Sequence, residues 1–234
     1  FLYYIMEYIE GKTLEQWIED KTELDLTAIR NIVSQAISGL RAFHRMDMLH
    51  QDIKPGNIMI TPEGLVKIVD FGSTKIAGIA DISTPIERKE LLGTKNYTAP
   101  EYLLEQPGTS QSDLFALGCI IYEMITGKMP YGDHLAKASD QRSLNRLKYT
   151  PISTHTENVP HWVDKAIRTA VQVDPNNRYE KLSELESDLR KPNPLFLKEE
   201  QLPLLERNPI GFWKATSSIL LVANLALIYL LFSQ

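Results

Sequence analysis

Within LHQDIKPGNIMI, residues 49–60, an acid (Asp52), a base (Lys54) and an amide (Asn57) fall inside six positions between two apolar runs. Eighteen residues beyond Asp52, a second acid opens the tripeptide Asp70-Phe71-Gly72. Taken alone, the first group reads equally well as an ordinary polar loop. Together, the four side chains suit phosphoryl transfer, in which positioning and charge neutralisation do most of the catalysis. One carboxylate would orient a hydroxyl and accept its proton. The other, with an amide oxygen, would hold Mg2+ against phosphate oxygens, and a lysine beside the γ-phosphate would stabilise the charge in transfer.

Such residues need elements that bring 52 and 70 together. Upstream, from Thr27, apolar residues fall at Ile29, Ile32, Val33, Ala36, Ile37, Leu40 and Phe43, the spacing of one buried helical face. Downstream, the apolar stretches 58–60 and 65–69 flank Thr61-Pro62-Glu63-Gly64, turn chemistry between paired strands. The group therefore lies on a loop between a helix and a hairpin, and the hairpin would return the chain to Asp70. Residues 1–9 read as a strand closed by Glu10-Gly11, after which Thr13 opens a short helix through Leu14, Trp17 and Ile18. Past Asp70-Phe71-Gly72, about thirty residues with little periodicity lead to Ala99-Pro100-Glu101, a length typical of functional or disordered loops. Ser112 is read as the cap of a helix over 113–126, hydrophobic nearly all round and closed by Gly127 and Pro130, which belongs in the centre of a core. Two further helices follow from Trp162, Val163, Ala166, Ile167 and Ala170 and from Leu182, Leu185 and Leu189.

The chain has 234 residues, 43% hydrophobic and 24% charged, a globular composition. A net charge of −5 and the lack of a basic cluster along the sequence argue against a nucleic-acid partner. The single cysteine, Cys119, sits in LFALGCIIYEMI and reads as a small core residue, which leaves no intrachain disulfide and no Cys-rich metal site. His44, His134, His155 and His161 are scattered and read as surface or core residues. The start at Phe1, inside an apparent strand, suggests a fragment whose N-terminal part is missing. After Lys191, Pro192, Pro194, Pro203 and Pro209 punctuate a linker, and residues 215–232 carry no charge. As a helix, that run would be about 27 Å long, close to the hydrocarbon thickness of a bilayer. Trp213 and Tyr229 stand at interfacial positions, with Arg207 and Lys214 ahead of the run, so the expectation is a membrane span with the preceding residues cytoplasmic. A buried core or dimer helix is the plainer alternative, favoured by Asn224 and the serines.

The motifs His50-Gln51-Asp52-Ile53-Lys54-Pro55-Gly56-Asn57, Asp70-Phe71-Gly72 and Ala99-Pro100-Glu101 occur in the order and spacing of the eukaryotic-type, or Hanks-type, protein kinases. The resemblance implies an α+β protein-kinase-like fold. Residues 1–9 would be the last N-lobe strand and hinge, with the rest of the N-lobe missing. Residues 10–190 would form the mainly α-helical C-lobe, 191–211 a Pro-rich juxtamembrane linker, and 212–234 a C-terminal transmembrane helix. It implies a serine/threonine kinase using ATP and Mg2+ on a protein substrate. Asp52 would be the catalytic base, Lys54 the γ-phosphate contact, and Asn57 and Asp70 the metal ligands. Met6 would be the gatekeeper, the backbone of Glu7 and Ile9 the adenine hinge, and Met59 the apolar floor beneath the base. Thr94 would hydrogen-bond to Asp52 and Lys54. Asp113 resembles the helix aspartate that braces the catalytic loop, and Arg178 the arginine that pairs with Glu101. Their plainer readings are a helix N-terminal acid and a solvated arginine. Lys54 and the stretch Gly93-Thr94 with Tyr97-Thr98-Ala99-Pro100-Glu101 resemble serine/threonine rather than tyrosine kinases.

Gln51 stands where most kinases switched by activation-loop phosphorylation carry an arginine that pairs with the phosphate. A glutamine cannot form that ion pair, so activity is expected not to depend on a phosphate held there, although Ser73, Thr74, Ser83 and Thr84 could accept one. LLGTKNYTAPEYLL, SDLFALGCIIYEMITGKMPYG and DPNNRYEKLSEL resemble bacterial kinases fused behind a PP2C-type phosphatase domain, which the missing part would carry. That implies a single-pass C-terminal anchor in a bacterial inner membrane. Without a Gly-rich loop, a strand lysine and its partner glutamate, the fragment alone is expected to be inactive. A membrane-tethered pseudokinase scaffold is the alternative, opposed by the presence of Asp52, Asn57 and Asp70. A small-molecule phosphotransferase would leave the peptide-site segment 94–101 unexplained.

Overall fold

Thr13 starts the first helix by accepting a hydrogen bond from the Gln16 amide, while the Gln16 side chain accepts one from the Thr13 amide. This reciprocal cap joins strand β1 (Lys12–Thr13) to helix α1 (Leu14–Asp20). Asp25 caps helix α2 (Leu26–His44) by accepting from the Thr27 and Ala28 amides, and the stripe Ile29, Ile32, Val33, Ala36, Ile37 and Leu40 is buried. Strands β2 (Met48–Leu49), β3 (Ile58–Ile60), β4 (Val66–Ile68) and β5 (Lys75–Ile76) follow. Next come helices α3 (Pro100–Leu103), α4 (Ser110–Thr126), α5 (Gln141–Leu144), α6 (His161–Ala170) and α7 (Leu182–Arg190). This computed structural model describes residues 5–21, 23–70, 75–76, 94–196 and 209–232, in two units, Phe1–Lys191 and Pro192–Gln234.

Two antiparallel ladders frame the loop at 50–57. In the first, β3 lies between β1 and β4, with Thr13 opposite Met59 and Ile58 opposite Ile68. In the second, β2 pairs with β5 through Met48 opposite Ile76 and Leu49 opposite Lys75. The strand expected over 1–9 is not formed at 5–9, where Ile5, Met6 and Tyr8 are exposed. No neighbouring strand among the described residues satisfies their backbone groups, and without that pairing an extended segment is not a strand.

Helix α4 lies at the centre of the core, buried at nearly every position from Ser112 to Ile125. It begins at Ser110, earlier than expected, because Thr109 is its cap: the Thr109 hydroxyl accepts from the Gln111 amide and the Ser112 hydroxyl accepts from the Thr109 amide. It ends at Gly127, whose φ of +66° is the left-handed conformation a helix stop favours. At Gly118 a Cβ would lie 2.8 Å from Val171 Cγ1 and 3.0 Å from Ala170 Cβ, so the close approach to the end of α6 requires glycine. Cys119 is fully buried in the cluster of Phe115, Tyr131, Leu135 and Val171, and burial pushes its thiol well above its ordinary value.

The second unit contains helix α8 (Pro209–Phe232). Here the expected C-terminal transmembrane helix is corrected: among the described residues no helix is long and apolar enough to cross a membrane. Lys214 and the hydroxyl residues Thr216, Ser217 and Ser218 break the apolar face early. Thr216 donates to the Phe212 carbonyl at 3.1 Å, Ser218 to that of Lys214 at 2.9 Å and Asn224 to that of Leu220 at 2.9 Å. Asn224 interrupts the run again, so these polar side chains break up the about 20 predominantly apolar residues a span needs. The single-pass anchor and the inner-membrane location derived from it fall with the span.

Candidate active site

The site is built where α2 hands the chain to β2 and β2 to the loop. Asp113, in the first turns of α4, is 1% exposed and receives three donors. Its Oδ2 accepts from the His50 amide at 3.0 Å and lies 2.9 Å from His44 Nε2, while its Oδ1 accepts from the Gln51 amide at 3.0 Å. Gln51 sits at φ +67°, a left-handed conformation that costs a non-glycine residue about 1–2 kcal/mol. The buried carboxylate offsets that strain by fixing both amides. His50, wholly buried, points Nε2 at the Val69 carbonyl 3.3 Å away and stacks obliquely on Phe43 at 5.9 Å. Asp113 therefore braces the loop from inside the core and is not a solvated helix acid.

Pro55 and Gly56 turn the chain through a single 3-10 turn, closed by the Asn57 amide donating to the Lys54 carbonyl at 2.9 Å. That turn folds Asn57 back onto Asp52. Asn57 Nδ2 donates to the Asp52 carbonyl at 2.8 Å and to Asp52 Oδ2 at 3.1 Å, and Lys54 Nζ donates to the same Oδ2 at 2.8 Å. Asn57 is buried, whereas the Asp52 and Lys54 side chains keep 24% and 28% of their exposure. Among the described residues no donor reaches Asn57 Oδ1 or Asp52 Oδ1, so both oxygens stay available. The β3–β4 hairpin carries the chain back, and the Val69 amide donates to the Asn57 carbonyl at 2.9 Å, which sets Asp70 one residue beyond that bond. Asp70 is exposed and left-handed, φ +63°.

Behind the site, Glu101 and Arg178 form a bidentate pair at 2.9 and 2.8 Å with both side chains almost fully buried. Arg178 also donates to the carbonyls of Gln172, Gln111 and Val173 and lies 4.7 Å over the Phe115 ring, and Ser112 donates to Glu101 at 2.6 Å. Burial alone would raise the Glu101 carboxyl; the Arg178 bonds and charge and the Ser112 hydroxyl outweigh it and hold it below its ordinary value. Glu123 shows the opposite outcome. It accepts from the Tyr97 hydroxyl at 2.6 Å, and among the described residues no cation pairs with it, so burial wins and its carboxyl is raised. Burial also pushes the Tyr102 phenol up to about 12, and the Asp113 charge adds to it.

Of the expected site residues, Asp52, Lys54 and Asn57 are brought together directly. Met59 is the half-buried centre of β3, facing away from buried Ile58 and Ile60. Met6, Glu7 and Ile9 lie on the irregular segment ahead of β1, where Met6 is exposed and Glu7 accepts from Lys67 Nζ at 2.6 Å. Thr94 opens the 3-10 turn Thr94–Tyr97, and its expected bonds to Asp52 and Lys54 lie outside the described residues, as do Phe71, Gly72, Ser73, Thr74, Ser83 and Thr84. His44 and the Tyr97–Glu123 pair were not picked out by sequence reasoning. His44 carried a signal, since it falls in the last turn of the α2 stripe directly before the loop.

Residues 1–188 match the family model described as protein kinase domain. A probable serine/threonine-protein kinase of Clostridium perfringens is 33% identical over 189 residues, covering 81% of this chain and 27% of its own length. The probable serine/threonine-protein kinase PknB of Bifidobacterium longum is 34% identical over 189 residues, with 80% and 27% covered. The serine/threonine-protein kinase PrkC of Bacillus subtilis is 33% identical over 189 residues, with 80% and 28% covered. The chain therefore belongs to the protein kinase family. It spans less than a third of the length of these relatives.

Proposed function

We propose that the protein is a serine/threonine kinase that transfers the γ-phosphate of ATP to hydroxyls of a protein substrate. The observation that carries this reading is the convergence of Lys54 Nζ and Asn57 Nδ2 on one oxygen of Asp52, at 2.8 and 3.1 Å, which leaves the other oxygen open. The open oxygen takes the proton of an incoming serine or threonine hydroxyl, while the hydroxyl oxygen bonds to the γ-phosphorus and the bond to the β–γ bridging oxygen breaks. Lys54, already at the carboxylate, stands beside the charge in transfer. Mg2+ fits the donors at hand. Asn57 offers an oxygen because its amino group is fixed on Asp52, Asp70 adds a carboxylate, and Mg2+ characteristically binds one or two protein oxygens plus phosphate. When bound, it would neutralise charge between the β- and γ-phosphates. Met6, Glu7 and Ile9 would receive the adenine edge, with Met59 beneath its plane, and Thr94 would steady Asp52 and Lys54.

The test is transfer of labelled γ-phosphate from Mg-ATP to myelin basic protein by the full-length protein and by its Asp52→Asn variant. The variant should lose about 10²- to 10⁴-fold in turnover, the usual contribution of a general base. Equal turnover in the two proteins would overturn the assignment.

A further inference from the structure

Away from the catalytic loop, a cleft of about 280 Å3 opens between the last turn of α2 and the first turns of α4 and α7. Arg41, His44 and Arg45 line it from α2, Ser110 from α4, and Lys181 and Ser183 from the start of α7. Its one acidic residue, Glu180, lies 4.0 Å from Lys181 Nζ. Among the described residues neither the Arg41 nor the Arg45 guanidinium has a hydrogen-bond or ion-pair partner. Arg30, Arg178 and Arg190 are each held, on the Leu189 carbonyl, Glu101 and Glu186, whereas among the described residues the exposed Arg142 and Arg146 also lack a hydrogen-bond or ion-pair partner but line no cleft with His44. The dipole of α2 favours cations on its last turn. It does not explain why Lys181 arrives there from a distant part of the chain, nor why two hydroxyls complete the wall. In a chain of net charge −5, unanswered positive charge around one concave site calls for an anion.

The same cleft touches the catalytic loop through a single side chain. His44 lines it, and His44 Nε2 lies 2.9 Å from the Asp113 oxygen that holds the His50 amide. We propose that this cleft binds a phosphate group, as inorganic phosphate or as the head of a small monoester, and that His44 and Asp113 transmit its occupancy to the catalytic loop. Guanidinium groups match phosphate oxygens in geometry as well as charge. The volume lies at the low end for ligand pockets, about 300 Å3, which suits a small anion better than a nucleotide. The transmission rests on the kinase reading, whereas the binding does not.

Titration of the 15N-labelled full chain with sodium phosphate or glycerol 3-phosphate, against sodium chloride at equal ionic strength, tests both parts. Saturable shifts of the Arg41, Arg45 and Lys181 amides are expected, with the His50 and Gln51 amides following at the same midpoint. Tighter binding of glycerol 3-phosphate would identify a monoester as the ligand, and tighter binding of phosphate the free ion. The Arg41→Gln/Arg45→Gln double variant changes only exposed side chains, so it should melt like the parent while binding at least about tenfold more weakly, 1.4 kcal/mol. Shifts that track ionic strength alone, or that persist in the double variant, would overturn the site. Saturating shifts in the cleft with stationary His50 and Gln51 amides would overturn the transmission. The Asp52→Asn protein should bind phosphate in the cleft as the parent does, which separates failure of this site from failure of the catalytic reading.

Discussion

The loop at 50–57 and the Glu101–Arg178 pair are both polar centres, built on opposite terms. In the loop, three functional side chains meet within six residues, and Asp52 and Lys54 keep about a quarter of their side-chain surface in water. In the pair, partners 77 residues apart meet with 0% and 4% of their side chains exposed. Every guanidinium nitrogen of Arg178 is committed there, and the carboxylate takes a hydroxyl as well. Two buried charges are tolerated only when geometry is close to ideal and the remaining donors and acceptors are satisfied. The centre in which proton transfer is proposed keeps open oxygens; the one that holds α3, α4 and the segment before α7 in register keeps none.

The sharpest way to break this contrast is Arg178→Met. It leaves Glu101 buried without a cation, so urea unfolding should show a loss of about 3–5 kcal/mol. A loss below about 1 kcal/mol, the range of a surface pair, would mean that the centre is not structural. Asp113→Ala should come next. It removes the acceptor of two backbone amides and of His44, and charged hydrogen bonds are worth about 1.5–3 kcal/mol. The variant should lose stability in that range and turn over poorly even with Asp52 intact; full turnover would show that the strained Gln51 backbone needs no brace. The smallest effect is on acid sensitivity. The Glu101 carboxyl is held below its ordinary 4.5, so the stability it contributes is complete above that value and is lost as pH falls through the lower folded value. Melting curves of Glu101→Gln should accordingly fall less steeply than those of the parent below pH 4.5, and parallel curves would remove Glu101 from the acid response.

Much of the scaffold was legible because its signals are local. The 3.6-residue stripe of α2, the Thr13 cap, the turn at 61–64 and the all-round apolar α4 each follow from a few adjacent side chains, and the matching elements are present. Boundaries were less so: Thr109 rather than the neighbouring Ser112 is the cap of α4, because the chain geometry places its hydroxyl over the Gln111 amide. The expectation for 212–234 failed on a local signal read too strongly, since a charge-free composition does not by itself make a helix apolar enough to span a bilayer. The His44–Asp113 contact, 69 residues apart, had no local signature. Neither did the gathering of Arg41, Arg45 and Lys181 in a chain that shows no basic cluster along its length.

The meeting of Asp52, Lys54 and Asn57 is written into the order of the chain. Asp52, Lys54 and Asn57 are close enough in the chain that one turn at Pro55-Gly56 makes them meet, and their chemistry is inherent in their types. Long-range packing sets which charges are buried, which are braced and which, among the described residues, lack a partner, as Glu101, Asp113 and Arg45 respectively show. The reason is that desolvation and pairing depend on what surrounds a group in space, and for these residues the surroundings come from elements tens of residues away.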